Sequence, residues 1–509
     1  TNFATIAWHA LAIGVDPNNA DHLYIGGLDL HQSFNGGNHW LNVSDWAKMY
    51  SGGGSDYVHA DQHAIIFLPG SSDKILFGTD GGVFYTSLGS APVPQFAEHN
   101  KSYNTLQLYT CALSPINGFD QFYGGLQDNG TLYQVGLGEP LTIHDMVMGG
   151  DGAYCFIDPL ESNISITSIY YNQYAVFDNG IFANYLGNWS SGTFVSPADL
   201  DYKKKLLYCN PVDYVGNHKD QLLRLSNLMI NSTGDFLNLN TGSQVPFTAL
   251  KYSPHSPADA STVYLGSAAG RLFRVTSAHT ASPQAIEIGS SLFPSATISS
   301  IVIGSSEDTL MVTFSNYGVS SVWATFNGGT TWMNIEGNLP DMPVRWGLLH
   351  PNSDRRAMIA TETGVWETLD ITQTPVNWRP INNGMANVRV DMLQLRTSDN
   401  TVLAATHGRG FFTTKWDVAT GVRSERAFHV TVSPNPSSGR FSIAIPSEIT
   451  TPVTLTVYDF SGRKVWQKAR YLPVSGAITA NLTGFSPGIY FLNIEGETLK
   501  ASVHKLIIE

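Results

Sequence analysis

The chain has 509 residues, of which only 14% are charged, against roughly 25% in an average soluble protein. Its 28 Lys and Arg against 41 Asp and Glu give a formal net charge of -13, which argues against a role in binding nucleic-acid phosphates. No stretch approaches the ~18 apolar residues of a membrane span. The 48 Gly and 11% aromatic residues favour short strands joined by tight turns.

A repeat runs through the first four-fifths of the chain. One unit reads as an apolar strand, a Pro-containing turn, a second strand that ends near a small residue, a Gly-rich turn and a third strand. The clearest copies are residues 11–34, 64–86, 111–133 and 250–275. The ends of the second strands recur every 38 to 58 residues, which brackets the ~40–50 residues of a four-stranded propeller blade. They are expected near Gly26, Gly78, Gly124, Tyr170, Tyr208, Gly266, Thr313, Thr361 and Ala405.

This spacing predicts an all-β fold: a multi-bladed β-propeller over residues 1–417, followed by a small C-terminal β-sandwich. Eight or nine blade equivalents fit into the first region. The first predicted strand begins a few residues after Thr1, which is compatible with earlier blades preceding it.

Two units end their third strand in the same short pattern. Residues 33–40 read Ser-Phe-Asn-Gly-Gly-Asn-His-Trp, and residues 325–332 read Thr-Phe-Asn-Gly-Gly-Thr-Thr-Trp. Both resemble the Asp-box of bacterial-neuraminidase-type (BNR) repeats, with Asn35 and Asn327 at the Asp position. Residues 1–418 as a whole resemble secreted Bacteroidetes propellers that are distantly related to sortilin-type and xyloglucanase-type proteins. The resemblance implies a propeller whose turns are folding devices.

Strand order predicts where the polar residues of the repeat gather. In an antiparallel blade, the turn between the second and third strands lies on the same rim as the start of the first strand. Eight candidate residues occupy these two kinds of position: Asp80, Asp128, Glu362 and His407 in turns, and His59, Asp61, His63 and Asp151 before first strands. A cleft at this rim is the expected ligand site. The predicted ligand-binding residues are His59, Asp61, His63, Asp128, Asp151 and His407.

In the segment His59-x-Asp61-x-His63 the polar residues are two apart, which is the spacing of residues on one face of a strand. In a regular strand the three side chains would point the same way, ~6.7 Å apart. A metal site, a ligand contact and a hydrogen-bonded ladder between blades all stay open for it. The metal candidates are His59, His63, Asp80 and Asp128. The turns at Asp80 and Asp128 are oxygen-rich enough for Ca²⁺, although Asx-turn chemistry explains them equally.

The same rim offers carboxylates for catalysis. A glycoside hydrolase needs two of them about 5–9.5 Å apart, and the candidates are Asp61, Asp80, Asp128, Asp151 and Glu362. A sialidase would clamp its substrate carboxylate with several arginines, whereas this chain has none before Arg224. An endo-acting hydrolase of xyloglucanase-like type stays open as an alternative, while a sialidase does not fit.

The tail has a different pattern. Residues 418–427 read as a polar linker, and residues 428–509 alternate in polarity between Pro-Asn, Ser-Gly and Pro-Gly turns. The segments Ser433-Pro-Asn-Pro436, Tyr458-Asp-Phe-Ser-Gly-Arg463 and Ser486-Pro-Gly-Ile-Tyr-Phe491 resemble the type A C-terminal sorting domain of type IX secretion substrates. The motif positions are Pro434, Asn435, Pro436, Gly462, Gly488, Tyr490 and Lys505.

The resemblance of the tail implies passage across the outer membrane, recognition by a shuttle and by a sortase-like protease, and a Sec signal preceding Thr1. Together with the propeller it predicts a secreted or surface-attached protein that binds glycan or protein ligands through one rim. An endo-acting hydrolase and a structural or adhesive surface protein are the alternatives.

Overall fold

The computed structural model describes residues 8–101, 103–136, 145–188, 190–416, 431–444, 452–459, 463–471, 477–496 and 499–509. The chain divides into two compact units, Thr1–Val418 and Ala419–Glu509. Among the described residues the regular elements are β-strands, apart from a 3₁₀-helix at Trp46–Ser51 that Asp45 caps. The all-β fold class is confirmed. The predicted linker at 418–427 lies outside the described residues.

The described residues of the first unit form nine antiparallel sheets, each built from strands that follow one another in the chain. Sheet 1 holds β1 (Ala12–Asp16), β2 (Asn19–Gly26), β3 (Leu30–Ser33) and β4 (Leu41–Asn42). Sheet 2 holds β5 (Gln62–Phe67), β6 (Ile75–Thr79), β7 (Gly82–Thr86) and β8 (Ala97–Glu98). Sheet 3 holds β9 (Leu108–Leu113), β10 (Gln121–Leu126), β11 (Thr131–Val135) and β12 (Asp145–Met148).

Sheets 4 to 6 repeat the arrangement. Sheet 4 holds β13 (Cys155–Ile157), β14 (Ile164–Ser168), β15 (Asn172–Asp178) and β16 (Ile181–Asn188). Sheet 5 holds β17 (Ala198–Asp201), β18 (Leu206–Cys209), β19 (Gln221–Ser226) and β20 (Thr233–Asn238). Sheet 6 holds β21 (Phe247–Tyr252), β22 (Val263–Ser267), β23 (Leu272–Thr276) and β24 (Gln284–Glu287).

Sheets 7 to 9 complete the unit. Sheet 7 holds β25 (Ile298–Ile303), β26 (Leu310–Phe314), β27 (Val322–Thr325) and β28 (Met333–Asn334). Sheet 8 holds β29 (Val344–His350), β30 (Ser353–Thr361), β31 (Gly364–Thr368) and β32 (Arg379–Pro380). Sheet 9 holds β33 (Val390–Arg396), β34 (Thr401–Thr406) and β35 (Gly410–Lys415).

Sheets 3 to 9 close into a ring. Buried apolar clusters join each of these sheets to the next one along the chain. A further cluster joins sheet 9 back to sheet 3, where Leu108 and Cys111 share a core with Met392 and Leu403. The backbone also pairs across this joint, between Gln107 and His407. Seven sheets therefore surround one axis, as in a propeller.

Sheets 1 and 2 form a pair of their own, with a shared buried cluster that contains Phe77. Their contact with the ring includes polar bonds between two turns. His59 Nε2 lies 3.1 Å from the carbonyl oxygen of Asp128, and the side-chain amide of Asn129 donates to the carbonyl oxygen of Asp80 at 3.1 Å. The repeat units thus correspond to nine sheets, of which seven close the ring.

The first strands of six sheets carry a register shift near their start. The residues skipped by the pairing are His63, Tyr109, Thr248, Ser299, Arg345 and Asp391. A β-bulge of this kind takes one residue out of the regular alternation and re-aims its side chain. These six side chains therefore occupy equivalent positions, near the start of the first strand of each sheet.

The repeated Asn-Gly-Gly turns are held by side-chain oxygens. Ser33 Oγ accepts a hydrogen bond from the backbone N–H of Gly37 at 3.0 Å, and Asn35 Oδ1 accepts one from His39 at 2.8 Å. The turn at Thr325–Trp332 repeats both bonds. These bonds satisfy turn amides locally, so the pattern stabilises the connection between third and fourth strands.

The described strands of the second unit are β36 (Thr431–Ser433), β37 (Arg440–Ala444), β38 (Val453–Asp459), β39 (Lys464–Tyr471), β40 (Ala477–Asn481), β41 (Gly488–Gly496) and β42 (Leu499–Ile508). They form two sheets, with strand orders β36-β37-β40 and β39-β38-β41-β42. Phe441 and Ile443 of the first sheet share one buried cluster with Leu455 and Leu492 of the second. Two sheets around one core are compatible with the predicted sandwich.

Candidate functional site

The predicted site residues lie at one level of their sheets. Asp80 is in the turn between β6 and β7, and Asp128 is in the turn between β10 and β11. Glu362 and His407 hold the corresponding turns of sheets 8 and 9, and Asp151 lies just before β13. Antiparallel order puts second-to-third turns and the starts of first strands at the same edge of a sheet.

The segment from His59 to His63 is not one regular strand. The strand β5 begins at Gln62, Asp61 has a positive φ of 66°, and His63 is the bulged residue. His59 is buried against the Asp128 carbonyl, whereas His63 is exposed and its Nε2 lies 2.7 Å from Asp80 Oδ1. The expectation that three side chains share one strand face is therefore wrong, because the bulge and the left-handed residue turn them apart.

The turn at Asp80 fits closely against the segment before β5. A Cβ on Gly81 would lie 2.2 Å from the imidazole ring of His59, so only glycine fits there. Gly82 has a φ of 110°, and a Cβ on it would lie 2.2 Å from Oδ1 of Asn100. The Asp-Gly-Gly sequence is thus required by the packing that positions the Asp80 carboxylate.

Four carboxylates gather where this turn meets sheet 3. The oxygens of Asp61, Asp80 and Asp128 come within 4.8 Å of one another. Asp151 joins them through its Oδ1, which accepts a hydrogen bond from the backbone N–H of Asp128 at 2.9 Å. Residues from sheet 2, from sheet 3 and from the segment before sheet 4 therefore form one acidic cluster.

The cluster alters how these groups titrate. Burial, together with the neighbouring carboxylates of Asp151, Asp80 and Asp61, raises the pKa of Asp128 to about 7. Burial also raises the pKa of Asp61 and that of Asp151 above their ordinary values. A carboxyl group that keeps its proton near neutral pH can donate a hydrogen bond as well as accept one.

One site residue escaped the sequence analysis. His9 Nε2 lies 3.2 Å from Asp80 Oδ2, and the His9 ring contacts the His63 ring edge-on at 5.1 Å between centroids. His9 precedes β1 in the way that His59 precedes β5, so the rule that located the other residues applies to it as well. The position of His9 just before the first strand could have identified it from the sequence.

Two predicted residues lie outside the cluster. Glu362 accepts a hydrogen bond from Arg345 Nε at 2.7 Å. The His407 Nδ1 atom lies 3.4 Å from Asp391 Oδ2, and its ring contacts Tyr109. In the described part of the chain neither belongs to a group of potential metal ligands with Asp80.

These pairs reveal a recurring contact that the sequence does not show. In sheet 2 the bulged His63 meets Asp80 of the turn, in sheet 8 the bulged Arg345 meets Glu362, and in sheet 9 the bulged Asp391 meets His407. The sequence separation is 17, 17 and 16 residues respectively. The bulge thus determines which side chain faces the second-to-third turn.

A cavity of about 330 Å³ opens between sheets 2 and 3. Its lining includes Asp80, Asn100, Tyr103, Gln107 and Asp128. Among the described residues that line it there is no Lys or Arg, so its carboxylates make it acidic. Its other polar side chains are amides, imidazoles, a phenol and the hydroxyl of Thr105. Its volume falls within the ~300–1,000 Å³ of small-molecule sites.

A second cavity, of about 310 Å³, lies on the axis of the ring. All seven first strands from β9 to β33 contribute to its lining. It extends to Pro115, Pro159 and Pro254, which follow these strands, and so lies toward the rim opposite Asp80 and Asp128. The two cavities are therefore distinct.

In the second unit, the Pro-Asn-Pro motif is tied to the last strand. The Asn435 side chain donates to the carbonyl oxygen of Lys505 at 2.7 Å and accepts from the N–H of Ile507 at 2.8 Å. The hydroxyl of Tyr490 donates to the carbonyl oxygen of Ser486 at 2.9 Å. Gly462 lies outside the described residues. The motifs thus close the domain around its final strand.

Residues 431–509 match the family of secretion system C-terminal sorting domains. No curated protein matches the chain. The solved structure of PorZ, a bacterial surface component of the type IX secretion system of Porphyromonas gingivalis, is similar over 98% of this chain and 70% of that chain, with 12% identity and a TM-score of 0.47.

Two other solved structures are similar over less of the chain. The computationally designed Ika8 protein has 13% identity over 70% of this chain and 96% of that chain, with a TM-score of 0.40. The C-terminal WD40 domain of Sif2 has 9% identity over 63% of this chain and 98% of that chain, with a TM-score of 0.43.

The sorting-domain match shows that this protein is exported by the type IX secretion system and works outside the cell or on its surface. It also implies recognition by the machinery of that system. Within the described residues, no helix has the length and apolar character to cross a membrane.

Proposed function

We propose that this exported protein binds a neutral glycan in the cavity between sheets 2 and 3. The observation that carries the proposal is the character of the lining. The Asp80 and Asp128 carboxyl groups stand beside the side-chain amides of Asn100 and Gln107, and no cationic Lys or Arg lines the described wall. Sugar hydroxyls donate to carboxylates and exchange hydrogen bonds in both directions with amides.

The ring of Tyr103 completes this chemistry. Its side chain is 38% exposed, and its hydroxyl donates to Asn100 Oδ1 at 2.5 Å, which holds the ring at the cavity. An exposed aromatic face packs against the apolar C–H face of a sugar. An anionic ligand would be repelled by the clustered carboxylates, which is why a neutral glycan fits better than a phosphorylated or sialylated one.

Endo-acting hydrolysis is the second candidate. It is favoured by Asp128, because a pKa of about 7 suits a general acid. The spacing is less favourable: the oxygens of Asp61, Asp80 and Asp128 lie within 4.8 Å, and glycosidases place their carboxylates about 5–9.5 Å apart to flank the scissile bond. We therefore rank binding above turnover.

The two Asn-Gly-Gly turns support a relation to Asp-box repeats. The side chains of Asn35 and Asn327 accept the same backbone bonds in both turns. The indole of Trp332 donates to the carbonyl oxygen of Ile288 at 2.8 Å, which links sheet 7 to sheet 6. We propose a BNR-type, sortilin-like or xyloglucanase-like origin for the propeller on this basis.

The experiment is a glycan array followed by calorimetry, with reducing-end release measured on the same plant and mucin glycans. We expect binding without release, and a loss of at least about tenfold in affinity in the double variant Tyr103→Ala/Gln107→Ala. The matched control is Tyr317→Ala/Gln284→Ala, which removes exposed side chains elsewhere. Release that Asp128→Asn abolishes would favour the hydrolase. Absence of any glycan signal would contradict both and favour a protein ligand or a structural role.

A further inference from the structure

Two histidines and a carboxylate converge beside the cavity. The Nε2 atoms of His9 and His63 lie 3.2 Å and 2.7 Å from the two carboxylate oxygens of Asp80. The three ligand atoms come within 4.8 Å of one another. His9 belongs to the segment before sheet 1, whereas His63 and Asp80 belong to sheet 2, so the group is assembled from two sheets.

A further carboxylate, that of Asp61, lies near Asp80 of this group. The Asp61 carboxylate shares a second ligand group with Asp80 and Asp128. Its Oδ1 atom is buried and has no hydrogen-bond partner among the described residues. A buried, unpaired carboxylate oxygen is costly unless something cationic satisfies it, and no Lys or Arg lines the described wall of the adjoining cavity.

The ligand types specify the class of cation. Imidazole nitrogens bind Zn²⁺ and the other late first-row metals, while Ca²⁺ and Mg²⁺ take oxygen ligands almost alone. A tetrahedral zinc site places ligand atoms about 2.0–2.2 Å from the metal, and therefore about 3.4 Å from each other. The ligand atoms of His9, His63 and Asp80 all lie within 4.8 Å of one another, which is near that spacing.

We propose that Nε2 of His9, Nε2 of His63 and one carboxylate oxygen of Asp80 bind a zinc-class divalent ion, whose charge the neighbouring Asp61 carboxylate helps to balance. The ion would cross-link the segment before sheet 1 to sheet 2, next to the cavity. Both imidazoles bind as neutral groups, so each protonated histidine releases a proton to solvent when the metal binds. The metal ligands lie in the wall of the same cavity, but the test uses zinc alone, so its outcome does not depend on the glycan proposal.

The test uses the tag-free 509-residue chain, stripped with a chelator and titrated with ZnCl₂ by calorimetry. Bound metal is counted by mass spectrometry after desalting. We expect one zinc per chain. We also expect His9→Ala, His63→Gln and Asp80→Asn each to weaken binding by more than the ~10–100-fold seen for outer ligand partners. The control is His39→Ala, which removes an exposed imidazole in sheet 1 and should bind zinc like the parent protein.

Circular dichroism and the unfolding temperature establish that each variant is folded. His63→Gln and Asp80→Asn keep polar side chains of similar size, so they separate loss of a ligand from loss of the fold. Zinc that dissociates on desalting, or zinc bound equally by the parent and by His63→Gln, would overturn the proposal. His9, Asp80 and His63 would then form only a hydrogen-bonded network. A failed glycan array would leave this result unaffected.

Discussion

The backbone N–H of Asp128 donates a hydrogen bond to Oδ1 of Asp151 over 2.9 Å. This bond joins the second-to-third turn of sheet 3 to the segment that leads into sheet 4. It places the Asp151 carboxylate beside that of the half-buried Asp128. Burial and the charge of Asp151 raise the pKa of Asp128 to about 7. Two neighbouring blades thus create an acidic group that is protonated near neutral pH.

This raised pKa predicts how stability depends on pH. The Asp128 pKa is about 7 in the folded chain and 3.8 for an unperturbed side chain. The folded state therefore holds the proton more tightly, and the stability that this proton contributes is lost as pH rises from about 4 through 7. Asp128→Asn removes that loss. We expect the unfolding temperature of the variant, relative to the parent, to rise between pH 5 and pH 8 in chelator-containing buffer.

The control for this experiment is Asp259→Asn, which replaces an exposed carboxylate far along the chain. Its unfolding temperature relative to the parent should not change with pH over the same range. A difference between Asp128→Asn and the parent that stays constant from pH 5 to pH 8 would contradict the assignment.

The joint that closes the ring depends on Arg396. Its side chain is 1% exposed, and it donates to Asp120 at 2.7 Å in sheet 3 and to Asp399 at 2.8 Å in sheet 9. Arg396→Ala leaves Asp120 without its cation and Asp399 with Lys415 alone. Breaking a buried pair in this way costs ~3–5 kcal/mol. Chemical denaturation should show this loss. Arg355→Ala removes a 67% exposed guanidinium and should cost less than about 1 kcal/mol; equal costs would argue against a closed ring.

Gly81 offers a steric test of the site. A Cβ there would lie 2.2 Å from the His59 ring, whereas a Cβ on Gly234 would lie 3.1 Å from the nearest atom of Leu225. We expect Gly81→Ala to lose ~1–3 kcal/mol of unfolding free energy through overpacking. It should also lower zinc affinity, since Asp80 precedes it directly. Gly234→Ala should be near neutral on both measures. A stable Gly81→Ala variant with unchanged zinc binding would show that the turn is not held as described.

The sorting domain can be tested apart from the propeller. Residues 428–509 fused to a periplasmically targeted reporter should send it out of a host with a type IX secretion system. Asn435→Ala removes both hydrogen bonds to the last strand and should reduce export. Arg440→Ala, at the exposed start of β37, should export normally. Export of the reporter without the domain, or full export of the Asn435 variant, would contradict this role.

Local patterns predicted much of the fold. Of the nine expected ends of second strands, eight lie within second strands, because alternation and turn residues are properties of short segments. The ninth, Tyr170, was wrong, since β14 ends at Ser168. Closure of the ring could not be predicted in this way. It depends on the packing of Leu108 against sheet 9, across almost the whole length of the ring.

The candidate site, like the fold, was predictable where it depends on local patterns and not where it depends on neighbouring strands. The sequence predicted that Asp80, Asp128 and Asp151 lie on one rim, because the positions of turns and strand starts follow from strand order alone. The side chains that face the second-to-third turn are chosen by bulges, as at His63, and a bulge depends on the register of the neighbouring strand rather than on its own sequence. That is why the segment from His59 to His63 was misjudged.

Hydrogen–deuterium exchange with and without a bound glycan tests the central claim most directly. The probe is the xyloglucan or mucin oligosaccharide that gives the strongest array signal. The account predicts slower exchange in peptides covering residues 100–107 and 127–130, with no change in peptides at the axial end near Pro115 and Pro159. Protection confined to that axial end, or spread evenly over the ring, would contradict it.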